Sequence, residues 1–223
     1  MSMFSNKEAK YKRMHSGLPD TVSANVYNMI IGGCVLYGLL MNLFLVLTCG
    51  EFVASIPYVA VLIGYLISVI IGSAMAGSES PVMSFIGYNF IAVPIGLLLS
   101  TVLPYYAYET IVVAFGATAT IVAIMIALST AFPRFFLNLG RTLFITLLVT
   151  IVVEIVALLL GFSVGWIDFI VVGIFTLYVG FDWSRAQAYP KTIDNAVDSA
   201  IDIYMDIINL FVRILSILSR HDD

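Results

Sequence analysis

The sequence predicts an all-α integral membrane protein: seven transmembrane helices in one bundle. Three observations carry that expectation. Of the 223 residues, 61% are hydrophobic and only 11% charged, with a mean hydropathy of +1.04, more apolar matter than a water-facing surface leaves room to hide. No Lys or Arg occurs between Arg13 and Arg134, and the acids of that interval other than Asp20, namely Glu51, Glu79 and Glu109, fall where one apolar stretch gives way to the next. The apolar stretches themselves have the length of about 20 residues that a helix needs to cross a bilayer.

In order along the chain, residues 1–25 form a polar, basic tail holding Lys7, Lys10, Lys12 and Arg13. It has no apolar stretch of the kind a cleavable signal peptide carries. Spans are expected near 26–48, 57–77, 82–103, 110–132, 141–161, 165–187 and 197–219. The breaks carry proline and glycine, the usual punctuation of helix ends: Thr48-Cys49-Gly50-Glu51, Gly77-Ser78-Glu79-Ser80-Pro81, Pro104 to Glu109, Pro133-Arg134, Gly161 to Asp168, and Tyr189-Pro190-Lys191. Most connections are very short, so consecutive helices are antiparallel neighbours in one membrane domain, 26–219, followed by a tail, 220–223.

Lys/Arg placement sets the orientation. With the N-terminus in the cytoplasm, that side holds Lys7, Lys10, Lys12, Arg13, Arg134, Arg141, Arg185 and Lys191, and the opposite side only Arg213 and Arg220. Seven spans then put the C-terminus outside. Short tails and the missing targeting peptide point to a bacterial plasma membrane. Cys34 and Cys49 are fifteen residues apart in one expected helix, about 22 Å at ~1.5 Å per residue, too far to bridge, so they read as small apolar fillers. Ser68, Gly72 and Ala76 in span two, and Gly116, Ala117 and Ala119 in span four, read as small-residue seams for close helix approach. Tyr27, Tyr58, Tyr88, Tyr105, Tyr106 and Tyr108 read as interfacial rings near span ends.

Ionisable groups at membrane depth are costly and point to function. Asp182 and Asp206 are 24 residues apart. A helical hairpin centred at residue 194 would place each about twelve residues, or roughly 18 Å, along its helix, at matching depth. Two carboxylates about 4 Å apart repel by roughly 4 kcal/mol at an effective dielectric of 20. The pair is therefore expected to share one proton and titrate as a unit. Protonated, it ties two helices together; deprotonated, it repels itself or recruits a hard cation such as Ca²⁺. Asp182 and Asp206 are thus candidates both for a pH latch and for an ion site.

Asp194, Asp198, Asp202 and Asp206 recur every four residues, drifting about 40° per step around a helix. The first two are expected in water at the cytoplasmic mouth, with Asp202 intermediate. Together they make a negative lane that concentrates cations, or a solvated helix start favoured by the macrodipole. Asn209 and Arg213 follow on the same side. Asn209 offers a carbonyl oxygen. Arg213 is expected to snorkel to the outer interface, with counterbalancing of the carboxylates as the other reading. Glu154, in Ile151-Val152-Val153-Glu154-Ile155-Val156, has nothing basic near it in sequence, so it is expected to face the interior, protonated or hydrogen-bonded, as a further proton or cation site. His15 and His221 lie in the polar tails and read as solvated. No Gly-rich phosphate loop, HExxH or CxxC is present, so soluble-enzyme chemistry has no support. No basic patch offers itself to nucleic acid.

"VGFDWSRAQ" and "IDNAVDSAIDIYMDIINLFVRILSILS" resemble the close of span six and the span-seven motif of the Bax inhibitor-1 (transmembrane BAX inhibitor motif) family. "FIGYNFIAVPIGLLLS" and "ETIVVAFGATATIVAIM" resemble its third and fourth spans. The resemblance runs over roughly residues 20–220. It implies a seven-helix fold with the C-terminal helix central, and a Ca²⁺ leak closed by a proton-sensitive aspartate pair, here Asp182 and Asp206. Two departures stand out: span two carries no charge, so no span-two arginine engages the pair, and Phe181 stands where tyrosine is commoner.

The function expected from these features is a pH-sensitive calcium leak channel or transporter, with Ca²⁺ and protons as its ligands. The alternative is a non-conducting regulatory protein that restrains a membrane protease or another bilayer partner. An intramembrane aspartyl protease is disfavoured, because its Gly-x-Gly-Asp element is missing; the chain reads as no enzyme.

Overall fold

The computed structural model describes residues 21–162 and 165–220. The basic tail up to residue 20, and residues 221–223, with His15 and His221, lie outside the described residues. Among the described residues, seven α-helices follow one another: α1 Ala24–Ala54, α2 Tyr58–Ala76, α3 Pro81–Val102, α4 Tyr108–Ala131, α5 Pro133–Leu159, α6 Ile167–Ala188 and α7 Ile193–Ser219, with a 3₁₀ turn, Leu103–Tyr105, after α3. Helices α1 to α6 are long and apolar enough to cross a membrane. α7 is 27 residues long and less apolar, since it carries four aspartates and Arg213.

Local chemistry explains the boundaries. Ser23 caps α1, its Oγ accepting from Val26 N at 3.3 Å, which satisfies one of the orphan amides of the first turn. α1 runs six residues past the expected span: Gly50 does not stop it, and it ends three residues before Pro57, whose ring disfavours helix in the residue ahead. α5 starts at Pro133, not near 141. Proline at the first helical position lacks only an amide that has no partner there, so Pro133 both ends α4 and opens α5. Pro94 sits inside α3 without ending it.

The chain divides into two compact units. The first comprises the described part of Met1–Tyr105 with Ala188–Tyr204. In it α3 packs against both α1 and α2. The small-residue seam of α2 is real: a Cβ on Gly72 would stand 2.6 Å from Gly87 O, and one on Gly87 2.6 Å from Gly72 O, so the two backbones touch. Ser68 Oγ donates to Phe90 O at 2.6 Å beside this seam. Thr21 and Thr192 form an antiparallel bridge, Val22 N donates to Lys191 O at 2.7 Å, and Lys191 Nζ lies 4.5 Å from the Tyr27 ring centroid. Burial pushes the Lys191 ammonium below the ordinary lysine range, and the ring face offsets part of that cost. Tyr27 and Tyr88 are wholly buried, contrary to the interfacial role expected of them. Each hydroxyl has an interior acceptor: Tyr27 Oη donates to Asn195 O at 3.3 Å and Tyr88 Oη to Cys34 O at 2.8 Å.

The second unit comprises Tyr106–Gln187 with the described part of Met205–Asp223. Met125 of α4, Phe136 of α5 and Val179 of α6 form its core, with Ile121, Val122, Leu139 and Leu177 against them. α5 and α6 interlock through two ring-on-glycine contacts. A Cβ on Gly180 would stand 2.5 Å from Phe136 Cε1, and one on Gly140 2.5 Å from Phe181 Cε2. The expected seam at Gly116, Ala117 and Ala119 is not the packed face of α4: nothing lies within 4 Å of a Cβ built on Gly116. The buried line is instead Thr110, Ala114, Thr118, Met125 and Ser129, at steps of four and seven that keep side chains on one helix face.

Candidate functional site

α7 collects the polar groups. It is also the helix with the least exposure: within Ile193–Ser219 only Ile193 is exposed. Its aspartates do not form the lane expected from their four-residue spacing. Asp194 and Asp198 are buried, not in water. Ser84 Oγ of α3 donates to Asp194 Oδ1 at 2.8 Å, a hydrogen bond to a buried carboxylate that draws it off the solvated surface. Asp202 is half-buried.

Another spacing is continuous. Thr192, Asn195, Ser199, Asp202, Asp206, Asn209, Arg213, Ser216 and Arg220 follow at alternating steps of three and four, the heptad spacing that keeps one side of a helix in register. Every position of this stripe is polar. Elsewhere on α7 the polar side chains are Asp194, Asp198, Tyr204 and Ser219. The stripe is buried at its start and opens toward its end: Asn195 is wholly buried and Asp206 is 5% exposed, while the Arg220 side chain is 47% exposed.

Asp206 and Asp182 are both buried in the second unit. The chain turns between Ala188 and Ile193, so the hairpin is centred near residue 190, not 194. Counted from there, Asp206 is about seven residues farther along its helix than Asp182, an offset of about 10 Å along the axes. The equal depth expected from the sequence is therefore not what the helix ends provide. Tyr178, one turn before Asp182, spans that offset: it interacts electrostatically with both Asp182 and Asp206. Its ring lies against Phe181, centroids 6.2 Å apart. Position 178 thus brings a hydroxyl near the acids, although Phe181 has none.

Arg185 Nη2 pairs with Asp182 Oδ1 at 2.7 Å, three residues on in α6, and its guanidinium lies 5.1 Å from the Phe181 centroid. Gly140 gives the Phe181 ring its seat. Asp182 therefore has a cation from its own helix, at the C-terminal end where positive charge also favours the macrodipole. On the stripe, Asn209 turns its Nδ2 back to Met205 O at 2.7 Å.

A second cluster lies two turns beyond Asp206. Arg213 does not snorkel outward. Its Nη1 donates to Glu154 Oε1 of α5 at 2.7 Å and to Asp168 Oδ1 of α6 at 2.5 Å, and its Nη2 donates to Glu154 Oε2 at 3.0 Å. Asp168 Oδ2 also accepts from Ser216 Oγ at 3.0 Å and Arg220 Nη2 at 2.6 Å, and Arg220 Nη1 donates to Gly165 O at 2.6 Å. Glu154 is thus half of a two-point ion pair rather than a solitary acid. Asp168 escaped the sequence reading because it stands in the first turn of α6, where an acid reads as a favourable helix start.

Among the described residues, no group of three or more His, Cys, Asp or Glu side chains is arranged to hold a metal ion.

No curated protein matches the chain. The family described as "Inhibitor of apoptosis-promoting Bax1" matches residues 20–223. That match covers nearly all of the chain and every helix among the described residues, and the chain is a membrane protein of the Bax inhibitor-1 family.

Proposed function

We propose that this protein is a pH-sensitive calcium leak channel or transporter whose gate is the part of α6 and α7 that holds Asp182, Tyr178 and Asp206. The reading places all seven helices across the membrane with α7 central, the N-terminus in the cytoplasm and the C-terminus outside, in a bacterial plasma membrane. The observation that carries it is the burial of both aspartates in one unit, with Tyr178 close enough to feel the charge of each. Two buried carboxylates around one hydroxyl are coupled, and a proton gained by either changes the charge felt by the other. With one proton the remaining carboxylate is balanced by Arg185; without it, two carboxylates outnumber that one guanidinium, and the excess negative charge loosens α7 from α6 and draws a cation. Two carboxylates supply only part of the six to eight oxygens of a Ca²⁺ shell. That suits an ion in passage, with carbonyls, hydroxyls and water completing its shell.

The test uses purified protein in liposomes loaded with a calcium indicator, with entry followed from acid to neutral pH for the wild type and Asp206→Asn. Asp206→Asn removes the charge and keeps the shape, so the expected result is wild-type entry that rises as pH rises and Asp206→Asn entry that no longer responds to pH. Absence of entry at any pH, with a membrane protease co-purifying, would replace this reading with that of a non-conducting regulator.

A further inference from the structure

We propose that Arg213, set between Glu154 and Asp168, is the charge barrier that limits cation passage beyond Asp206; the inference rests on the calcium-leak reading. On the polar stripe of α7, Arg213 is the next ionisable position after Asp206. Seven residues fall about 20° short of two turns and advance about 10 Å, so a cation leaving Asp206 along the stripe passes Asn209 and meets the guanidinium. That guanidinium cannot swing aside freely. Glu154 holds it through both nitrogens and Asp168 through one, and the paired arrangement fixes its plane. It is also partly open, the Arg213 and Glu154 side chains being 31% and 24% exposed while that of Asp168 is 6% exposed.

The cluster balances. Glu154 and Asp168 are matched in number by Arg213 and Arg220, so a cation gains nothing from entering it. Removing one positive charge leaves an excess carboxylate at the end of the stripe, which draws cations in. Removing one negative charge leaves an excess guanidinium, which repels them. A cluster that served only to hold α5, α6 and α7 together would be weakened in the same sense by either change.

The experiment measures calcium entry at one fixed pH into liposomes carrying the full-length wild type, Arg213→Met, Glu154→Gln or the double variant, each accepted only if monodisperse and helical by circular dichroism. Arg213→Met is expected to speed entry about tenfold or more, the scale on which one charge changes local ion concentration in a low-dielectric cleft. Glu154→Gln is expected to slow it, and the double variant to fall between. Should Arg213→Met not fold, Arg220→Gln takes its place: it removes a positive charge from the same Asp168, leaves the Arg213 contacts standing, and is expected to speed entry. Single variants that change entry in the same direction, or leave it unchanged, overturn the proposal. Wild-type entry that is absent, or indifferent to Asp206→Asn, overturns the calcium-leak reading instead.

Discussion

Asp194 shows how far one side chain can depart from what its neighbours in sequence suggest. It opens an amphipathic helix and looks solvated, yet Ser84, 110 residues away, donates to it in the interior. Ser84→Ala removes that donor from a buried carboxylate, which costs about 1–3 kcal/mol. The expected result is a lower thermal midpoint in detergent, followed by loss of helical circular dichroism; an unchanged midpoint would mean the hydrogen bond contributes nothing. Glu154 teaches the same lesson. The sequence around it holds no base, and its partner is 59 residues distant. A search for bases nearby in sequence cannot find an ion pair that depends on how two helices are rotated. What the sequence did make legible was the type of group: acids at membrane depth need a partner or a proton, and both Glu154 and Asp168 have found arginine.

Seven helical stretches were legible from apolar length and from Pro and Gly punctuation. Their limits at Gly50 and Pro133 were not, because glycine is tolerated inside a helix and proline can begin one. The faces of the helices were legible only in part. In α2 the Ser68, Gly72 and Ala76 step marks the packed side, whereas in α4 an equally small set points outward. Small residues permit close approach without requiring it. Substitution separates the two cases. Gly72→Val puts bulk where even a Cβ would stand 2.6 Å from a carbonyl, and is expected to cost more than 1 kcal/mol by overpacking. Gly116→Ala meets nothing within 4 Å, and is expected to be neutral or to stabilise by up to about 1 kcal/mol through helix propensity. Thermal unfolding of both, side by side in one detergent, checks the contrast. On α7 the polar stripe could have been read directly. Counting aspartates by fours hid it, since that step drifts about 40° each time, while alternating threes and fours holds one side.

Across the molecule the distribution of polarity is that of a membrane protein. Large apolar side chains stand exposed along α1 to α6, Leu47 at 75% and Leu158 at 78% among them, while the acids Asp168, Asp182, Asp194, Asp198 and Asp206 are buried. Lipid removes the penalty of the first and raises that of the second, which makes buried carboxylates in such a chain the candidates for function. The proposed gate requires that Asp182 and Asp206 titrate as a coupled pair, with one of them protonated at acid pH. Infrared difference spectroscopy of the protein in lipid, titrated from acid to neutral pH, detects a protonated carboxylic acid by its carbonyl stretch. The account predicts a carboxylic acid signal that disappears as pH rises and is abolished by Asp182→Asn and by Asp206→Asn alike. A signal that persists unchanged in both variants, or a wild type that shows none, would contradict it.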